Sequence, residues 1–239
     1  MLRVGTRGSR LALKQSEWVK AQLEAGHPDI DVALVKIKTT GDKILDSPLS
    51  KIGGKGLFVK EIEDALLERR IDLAVHSMKD VPAELPGNLY LSTYPEREDP
   101  SDALISVDDL PLDRLPPNAR VGTSSLRRGA QLLHIRPDLD LVPLRGNVDT
   151  RLRKVESGEL HAVILACAGL KRLGLADRIS QVIPQDRLLP AVGQGALGLE
   201  IRRDDAGLAD ILSFLDHGPT RMTVSAERAF LKELEGGCQ

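Results

Sequence analysis

The sequence predicts an α/β fold with two lobes and a cleft at the hinge between them, the arrangement of two-lobed anion-binding proteins. Short apolar runs such as 73–75 and 162–165 are each followed by a polar turn and an amphipathic helical segment, as in sheets covered by helices on both faces. Two stretches rich in proline, glycine or charge, 94–100 and 190–195, interrupt this pattern. Because a strand-like run at 196–201 follows the second stretch, we expect the chain to leave the first lobe, build the second and return.

The first lobe opens with a predicted strand at 2–5, a polar turn and a helix. Alternating residues at 31–38 predict a second strand, and apolar residues at helical spacing predict a helix over 57–69. Segment 39–56 between them is long, polar and without periodicity, which is typical of a mobile functional loop. The strand at 73–75 then runs out into a polar turn.

The second lobe repeats this plan with predicted strands at 120–122, 141–144 and 162–165, each followed by a helix. The tail is predicted to be a helix over 220–234. We expect four of its apolar side chains to face inward: Val224, Phe230, Leu231 and Leu234.

Composition limits the classes of function. With 239 residues, 41% hydrophobic and 28% charged, the chain is typical of a soluble globular protein. A net charge of −2 and 3% aromatic residues disfavour nucleic acid and anionic membranes as partners. No apolar run reaches transmembrane length, and the N-terminus lacks a signal-peptide core. We therefore expect a cytoplasmic protein without nucleic-acid or membrane partners.

Positive and small polar residues follow several predicted strands. In the second lobe, Thr123, Ser124 and Ser125 open a helix that continues with Arg127 and Arg128. Free backbone N–H groups, the helix dipole and two bidentate donors would then face an anion. Arginines in a first helical turn oppose the dipole, so the pattern calls for a compensating anion. The alternative is an ordinary serine-capped helix with solvated arginines.

Similar groups recur elsewhere. Arg145 and Arg151 follow the next strand, where they could instead be surface charges on an amphipathic helix, and 6–10 repeats the pattern in the first lobe. The run 51–56 lacks the spacing of a Walker phosphate loop, so we expect a basic lid there. Together these groups predict a small ligand with many carboxylates or phosphates, since several ion pairs are needed to hold a polyanion.

Asp80 is the candidate acid in this cationic setting. Nearby cations favour its ionised form, and desolvation opposes it. An ionised carboxylate can stabilise a developing cation or exchange protons with a nitrogen. The alternative is that Asp80 only pairs with Lys79 or caps its turn. We expect His76 to be a core histidine with satisfied hydrogen bonds rather than a base.

The two cysteines lie in different contexts. Cys167 is flanked by apolar residues and is expected in the core. Cys238 follows two glycines, so it is either an accessible nucleophile or tether, or a disordered terminal thiol. No spacing of histidine, cysteine and aspartate in the sequence supports a metal site.

Several strings of residues closely resemble the porphobilinogen deaminase family, also called hydroxymethylbilane synthases. These strings are 6–7, 51–58, 76–82, 121–128, 144–147, 168–174, 189–195 and 235–238, and they span nearly the whole chain.

The resemblance implies a transferase of tetrapyrrole (haem) biosynthesis. In this family four porphobilinogen molecules are added head to tail to a dipyrromethane cofactor, each with loss of ammonia, and water releases linear hydroxymethylbilane. The resemblance implies that Cys238 carries the cofactor through a thioether and that Asp80 is catalytic. The residues implied to bind the cofactor are Cys238, Ser77, Lys79, Thr123, Ser125, Arg127, Arg128, Arg145 and Gly146. Those implied to bind substrate are Arg7, Ser9, Lys51, Lys55, Phe58, Arg145, Arg151 and Arg172.

The same resemblance implies two periplasmic-binding-protein-like domains joined by hinges, and a third, α+β domain. We expect 1–95 and 196–216 to form domain 1, 96–195 to form domain 2, and 217–239 to be the start of a truncated domain 3. The expected form is a monomer whose partner is small-molecule porphobilinogen. A non-catalytic two-lobed anion receptor or effector domain is the alternative, but it leaves Asp80 and the Gly-Gly-Cys ending without a role.

Overall fold

The computed structural model describes residues 1–43, 56 and 58–234. These residues form two compact units, and each unit contains one five-stranded sheet. Unit 1 comprises 1–43, 58–98 and 196–234, and unit 2 comprises Asp99–Gly195. The predicted α/β class with two lobes is confirmed. The predicted start of a third domain at residue 217 stays a prediction.

The elements are as follows. The strands are β1 (Leu2–Arg7), β2 (Val32–Ile37), β3 (Leu73–Ser77), β4 (Leu89–Thr93), β5 (Asp102–Ser106), β6 (Arg120–Gly122), β7 (Asp140–Val142), β8 (Ala162–Ala166), β9 (Gln181–Ile183) and β10 (Leu197–Arg202). The helices are α1 (Arg10–Gly26), α2 (Thr40–Lys43), α3 (Lys60–Leu67), α4 (Leu126–Ile135), α5 (Val148–Glu156), α6 (Cys167–Arg172), α7 (Ala206–Leu212) and α8 (Gly218–Glu233). Short 3-10 turns join some of them, including Met78–Asp80 directly after β3.

The two sheets share one topology. Unit 1 has the strand order β2-β1-β3-β10-β4, and unit 2 has the order β7-β6-β8-β5-β9. In each, the first three strands are parallel, and the fourth runs antiparallel to both of its neighbours. The chain returns to unit 1 at β10, at the place where the sequence predicted its return to the first lobe. This strand pairs with β3 and β4, whereas its counterpart β5 lies within the continuous sequence of unit 2.

Side-chain alternation along β3 explains how helices cover both faces of the unit 1 sheet. Leu73 and Val75 point toward the core formed with α1 and α7. Ala74, between them, points to the opposite face and packs with Ile62 and Leu66 of α3. Because both faces of β3 contact apolar residues, its sequence is a continuous hydrophobic run.

The prediction that four apolar residues of α8 face inward is wrong for two of them. Val224 is fully buried, but Phe230 and Leu234 are 65% and 63% exposed. At 100° per residue, Phe230 lies about 120° around the helix axis from Val224, so both cannot face the same core. Leu231 is only about 20° from Val224 and is half-buried as expected.

In the parts of the chain that the structure describes, no helix has the length and apolar character needed to cross a membrane.

Candidate active site

Parallel pairing brings the polar turns of unit 1 to one edge of its sheet. β1 and β3 are neighbours in register, with Val4 opposite Leu73, so their carboxyl ends lie side by side. Arg7 is the last residue of β1, and Ser77 is the last residue of β3. Ligands in open α/β sheets bind beyond such strand ends. The structure thus brings two of the predicted binding residues to one edge.

The turn after β1 is held by a helix cap and a ring contact. The Ser9 hydroxyl accepts a hydrogen bond from the Ala12 amide at 3.3 Å and so caps α1. The guanidinium carbon of Arg7 lies 4.2 Å from the centre of the Phe58 ring, a cation–π contact. This contact leaves the in-plane N–H groups of Arg7 suited to a carboxylate. Arg7 and Phe58, both predicted to bind substrate, are therefore neighbours.

Asp80 closes the 3-10 turn that follows β3. Buried Met78 and Val81 flank this turn and anchor it, and the Met78 amide donates to the Ala196 carbonyl at 3.0 Å. The Asp80 side chain is only half-buried. Among the described residues, no cation lies within salt-bridge distance of its carboxylate. The alternative role of Asp80 as a simple ion-pair partner of Lys79 therefore finds no support in this geometry.

The edge of unit 2 is built in the same way. β6 lies between β7 and β8, parallel to both, and the Thr123 amide donates to the Val142 carbonyl at 3.0 Å. The Thr123 hydroxyl accepts from the Ser125 amide at 3.2 Å. The Ser125 hydroxyl accepts from the Arg128 amide at 3.4 Å and so caps α4. The predicted serine-capped helix start is therefore present.

Asp102, which the sequence interpretation gave no role, binds both arginines of this helix start. Its carboxylate is fully buried and accepts from Arg127 Nη1 at 2.7 Å and from Arg128 Nη2 at 2.6 Å and Nε at 3.0 Å. Gln194 Nε2 donates to the same carboxylate at 2.9 Å. Burial would raise the pKa of Asp102, but the guanidinium groups of Arg128 and Arg127 outweigh it and hold the pKa below its usual value.

This network changes what Arg127 and Arg128 can do. The pattern called for a compensating anion, and the protein itself supplies one. Arg128 is buried and also donates to the Ile164 carbonyl at 3.1 Å, so its donors are directed inward. Arg127 is more exposed, and a further hydrogen bond joins it to the Leu189 carbonyl. Their predicted contacts with the cofactor stay predictions.

Long-range pairing explains why Asp102 was missed. β5 runs antiparallel to β8, with Asp102 opposite Ala166, so the first residue of β5 lies where β8 ends. Nothing within the local sequence around Asp102 indicates that partner strand. The one local signal is a carboxylate at the head of the apolar run Ala103–Ile105, which must be paired if it is buried.

A second cationic group follows β7. Gly146 has a φ of +105°, which glycine adopts readily, and the Gly146 carbonyl accepts from Arg151 Nε at 2.9 Å. Burial and the positive charges of Arg128 and Arg145 lower the pKa of Arg151 to about 10. Arg151 is still protonated at neutral pH. Within the described residues, no carboxylate lies within salt-bridge distance of Arg151.

The remaining predicted residues are placed as follows. Arg172, at the end of α6, donates to the Gly195 carbonyl at 2.7 Å. Cys167 is a buried core residue, as expected, and burial together with the charges of Asp99 and Asp102 raises its pKa to about 12. Its thiol therefore stays protonated and is a poor nucleophile. Lys51, Lys55 and Cys238 lie outside the described residues.

His76 is the expected core histidine, and it belongs to a buried acidic cluster. Its Nε2 lies 2.9 Å from a carboxylate oxygen of Glu200, and both side chains are buried. Glu63 of α3 is 8% exposed, and among the residues that the structure describes, one oxygen of Glu63 and one of Glu200 have no hydrogen-bond partner. Burial, and then the charge of Glu200, raise the pKa of Glu63 to about 7, although the His76 ring opposes the increase.

Comparisons with known proteins decide the family. A family model described as "Porphobilinogen deaminase, dipyromethane cofactor binding domain" matches residues 2–210. The porphobilinogen deaminase of Nitratidesulfovibrio vulgaris is 63% identical over 237 residues, which cover 99% of this chain and 75% of that protein. The chain belongs to the porphobilinogen deaminase family. The porphobilinogen deaminase of Syntrophotalea carbinolica is 60% identical and spans 100% of this chain and 76% of that protein.

Membership in the porphobilinogen deaminase family confirms the predicted activity. The chain is a transferase that polymerises porphobilinogen in tetrapyrrole biosynthesis, and the matched domain binds the dipyrromethane cofactor.

Solved structures support the fold. A periplasmic substrate-binding protein of an ABC transporter from Coxiella burnetii is similar, with a TM-score of 0.54 and 15% identity over 95% of this chain and 97% of that one. The substrate-binding domain of a putative molybdenum ABC transporter from Clostridium difficile gives a TM-score of 0.55 at 9% identity, covering 95% of this chain and 96% of that one. At these identities the likeness shows the two-lobed fold alone.

The described residues fit an acidic pyrrole cofactor. Arg151 is crowded by the positive charges of Arg128 and Arg145 and lacks a carboxylate partner in the described part of the chain, which favours an incoming anion. When bound, dipyrromethane supplies the pyrrole to which porphobilinogen is joined. The chain's own contribution is to neutralise carboxylates and to hold or move protons.

Proposed function

We propose that Asp80 is the catalytic carboxylate of the polymerisation. It stabilises positive charge that develops on the porphobilinogen being added, and it accepts and returns protons at the pyrrole nitrogens. The observation that carries this role is its geometry: a half-buried carboxylate at the carboxyl end of β3, with no salt-bridge partner among the described residues. Such a group keeps its negative charge available for a cationic reacting centre.

Around Asp80, the residues at the edge of unit 1 are proposed to bind carboxylates of porphobilinogen. Arg7 is oriented by its contact with Phe58, and a guanidinium group can bind a carboxylate through two parallel N–H groups. Ser9 is proposed to contribute from the first turn of α1, and Ser77 and Lys79 to bind the cofactor next to Asp80. Lys51 and Lys55 keep their predicted roles in substrate binding.

In unit 2, the proposed role of the strand ends is to hold acidic side chains of cofactor and substrate. Arg145 and Arg151 are proposed to bind these carboxylates. The charge of Arg145 acts on Arg151, and Gly146 adopts the positive φ of the turn between them. Thr123, Ser125 and Arg127 are proposed to add donors at the start of α4, and Arg172 at the end of α6. Arg128 is proposed to act mainly by lending its charge, because its N–H groups are directed to Asp102 and Ile164.

The substitution Asp80→Asn tests the catalytic role, and the intact mass tests the cofactor. We expect kcat to fall by about 10²–10⁴-fold, the range for losing a general acid–base group, while the melting temperature stays unchanged. Protein mass and peptide mapping should show dipyrromethane on Cys238 in both wild type and variant. Asp113→Asn, on the surface of unit 2, is the matched control and should retain wild-type kcat. Near-normal turnover of Asp80→Asn would refute the role of Asp80.

We further propose that the enzyme acts as a monomer in the cytoplasm. Ordinary composition, and two cysteines in contexts that suggest no disulfide framework, support the cytoplasmic part of this proposal. Light scattering coupled to size exclusion should give the mass of one chain, and cell fractionation should recover the enzyme with cytoplasmic markers.

A further inference from the structure

One arginine of α8 binds the chain immediately after Asp80. Arg228 Nη1 donates to the Val81 carbonyl at 3.1 Å, and its Nη2 donates to the Pro82 carbonyl at 2.7 Å and the Ala83 carbonyl at 3.1 Å. A single guanidinium thus binds three consecutive carbonyls. These carbonyls follow the end of the 3-10 turn Met78–Asp80, where regular backbone hydrogen bonding stops.

Packing of α8 around Val224 determines the position of Arg228. Val224, one turn earlier on α8, is buried in a cluster with Met78, Val81 and Tyr94. Val224 therefore fixes the helix against the two residues that flank Lys79 and Asp80. Arg228 lies on the same side of α8, since residues four apart share a face.

The helix that carries Arg228 also leads to Cys238 in the sequence. α8 ends at Glu233, and Cys238, the proposed attachment point of the cofactor, follows shortly after it in the chain. The helix that leads to the cofactor cysteine is thus the one whose guanidinium holds the turn of Asp80.

We propose that Arg228 is a positioning residue for Asp80, which fixes the catalytic turn against α8. This inference rests on the proposed catalytic role of Asp80. A planar fork that binds three carbonyls restrains both the position and the direction of the turn, whereas the apolar contacts of Val224 restrain mainly its distance. Small displacements of a reacting group are costly in rate, so loss of the fork should reduce turnover more than binding.

The test uses Arg228→Lys, which keeps the charge and the aliphatic stem but loses the planar fork. We expect kcat to fall about tenfold with KM nearly unchanged, because the position of Asp80 changes while the carboxylate-binding arginines do not. Hydrogen–deuterium exchange should become faster in the peptide over 78–88 and stay unchanged in β5 and β8 of unit 2. Arg228→Gln, which also loses the charge, should show the same pattern with a larger fall in kcat.

Lys232→Gln is the matched control. Lys232 is one turn further along α8 and forms an exposed ion pair with Glu84 at 3.1 Å, so its loss should leave kcat and exchange at wild-type values.

A double-mutant cycle with Asp80→Glu separates positioning from a purely structural role. If Arg228 acts through Asp80, the losses in kcat from Arg228→Lys and Asp80→Glu are not additive, since each displaces the same carboxylate. Additive losses, or wild-type kcat and exchange in Arg228→Lys, would overturn the inference about Arg228 alone. Normal turnover of Asp80→Asn would overturn the role of Asp80 and this inference together.

Discussion

Two aspartates at matching places in the two units have opposite surroundings. Asp80 follows the third parallel strand of its sheet, is half-buried and has no salt-bridge partner among the described residues. Asp102 lies at the end of the corresponding strand β8, is fully buried and accepts hydrogen bonds from Arg127, Arg128 and Gln194. The same side chain is thus a structural counter-ion in one unit, and in the other it is a carboxylate without a salt-bridge partner among the described residues.

This difference shows that whether a carboxylate can bind a cationic reacting group depends on its pairing within the protein rather than on residue type. The charge of a carboxylate that is bound by two arginines is neutralised by them. A carboxylate at an open strand end without such partners can still interact with a cationic reacting centre. The two units also differ in their other buried acids. Asp102 is paired with cations, whereas Glu63 and Glu200 of unit 1 lie near one histidine, and each has an oxygen without a hydrogen-bond partner in the described part of the chain.

The largest expected effect on stability is that of Asp102→Asn. The substitution leaves Arg128 buried without its counter-ion, which destabilises proteins by about 3–5 kcal/mol. Urea unfolding of wild type and variant measures this loss. Asp80→Asn should leave the free energy of unfolding unchanged, because no ion pair is broken. Equal stability of Asp102→Asn and wild type would contradict the structural role of Asp102.

A smaller effect, with a different dependence on pH, is expected for Glu63→Gln. The pKa of Glu63 is raised to about 7 from 4.5, so the folded state binds this proton more tightly than the unfolded state does. Stability therefore falls as pH rises from about 4.5 to 7, by at most on the order of 3 kcal/mol. Asp102, whose pKa is lowered, acts oppositely: its contribution is present above its unfolded pKa and is lost in acid.

Urea unfolding between pH 4.5 and 8 tests the assignment to Glu63. The variant should be more stable than wild type at pH 8 and nearly equal at pH 4.5. Glu17→Gln, which removes an exposed carboxylate of α1 paired with Lys14, is the control and should keep the wild-type pH profile. A profile unchanged by Glu63→Gln would show that Glu63 does not hold the proton.

The smallest expected effect is that of Phe58→Leu, at the edge of unit 1. Loss of the cation–π contact with Arg7 removes about 0.5–1 kcal/mol and leaves the guanidinium less well oriented. We expect KM for porphobilinogen to rise about two- to fivefold with kcat retained, as steady-state kinetics would show. A reduced kcat with unchanged KM would instead place Phe58 among the groups that assist the chemical step.

Local sequence patterns predicted the parallel part of each sheet. The apolar runs at β3, β6 and β8 and the polar turns after them have local causes, and the caps Ser9 and Ser125 follow from residue type at a helix start. The sequence interpretation did not identify the strands β4, β5 and β9, which pair antiparallel over long distances. Their pairing depends on the assembled sheet.

The parts of the site that local patterns could not predict also depend on distant residues. Asp102 reaches Arg128 only through the pairing of β5 with β8, and Glu63, His76 and Glu200 are contributed by three separate elements. The error at Phe230 has a simpler cause, since its angle around α8 relative to Val224 was available from the spacing alone.

The position of β10 has a consequence for synthesis on the ribosome. Among the described residues, unit 2 is the single segment Asp99–Gly195, so all five strands of its sheet are made before β10. Until then β3, which leads into the turn of Asp80, pairs with β1 alone among the described strands, and β4 lacks the strand that joins it to the sheet. The edges of β3 and β4 that β10 later covers are therefore open to intermolecular pairing during translation, and the interval lasts for the time needed to translate the whole of unit 2.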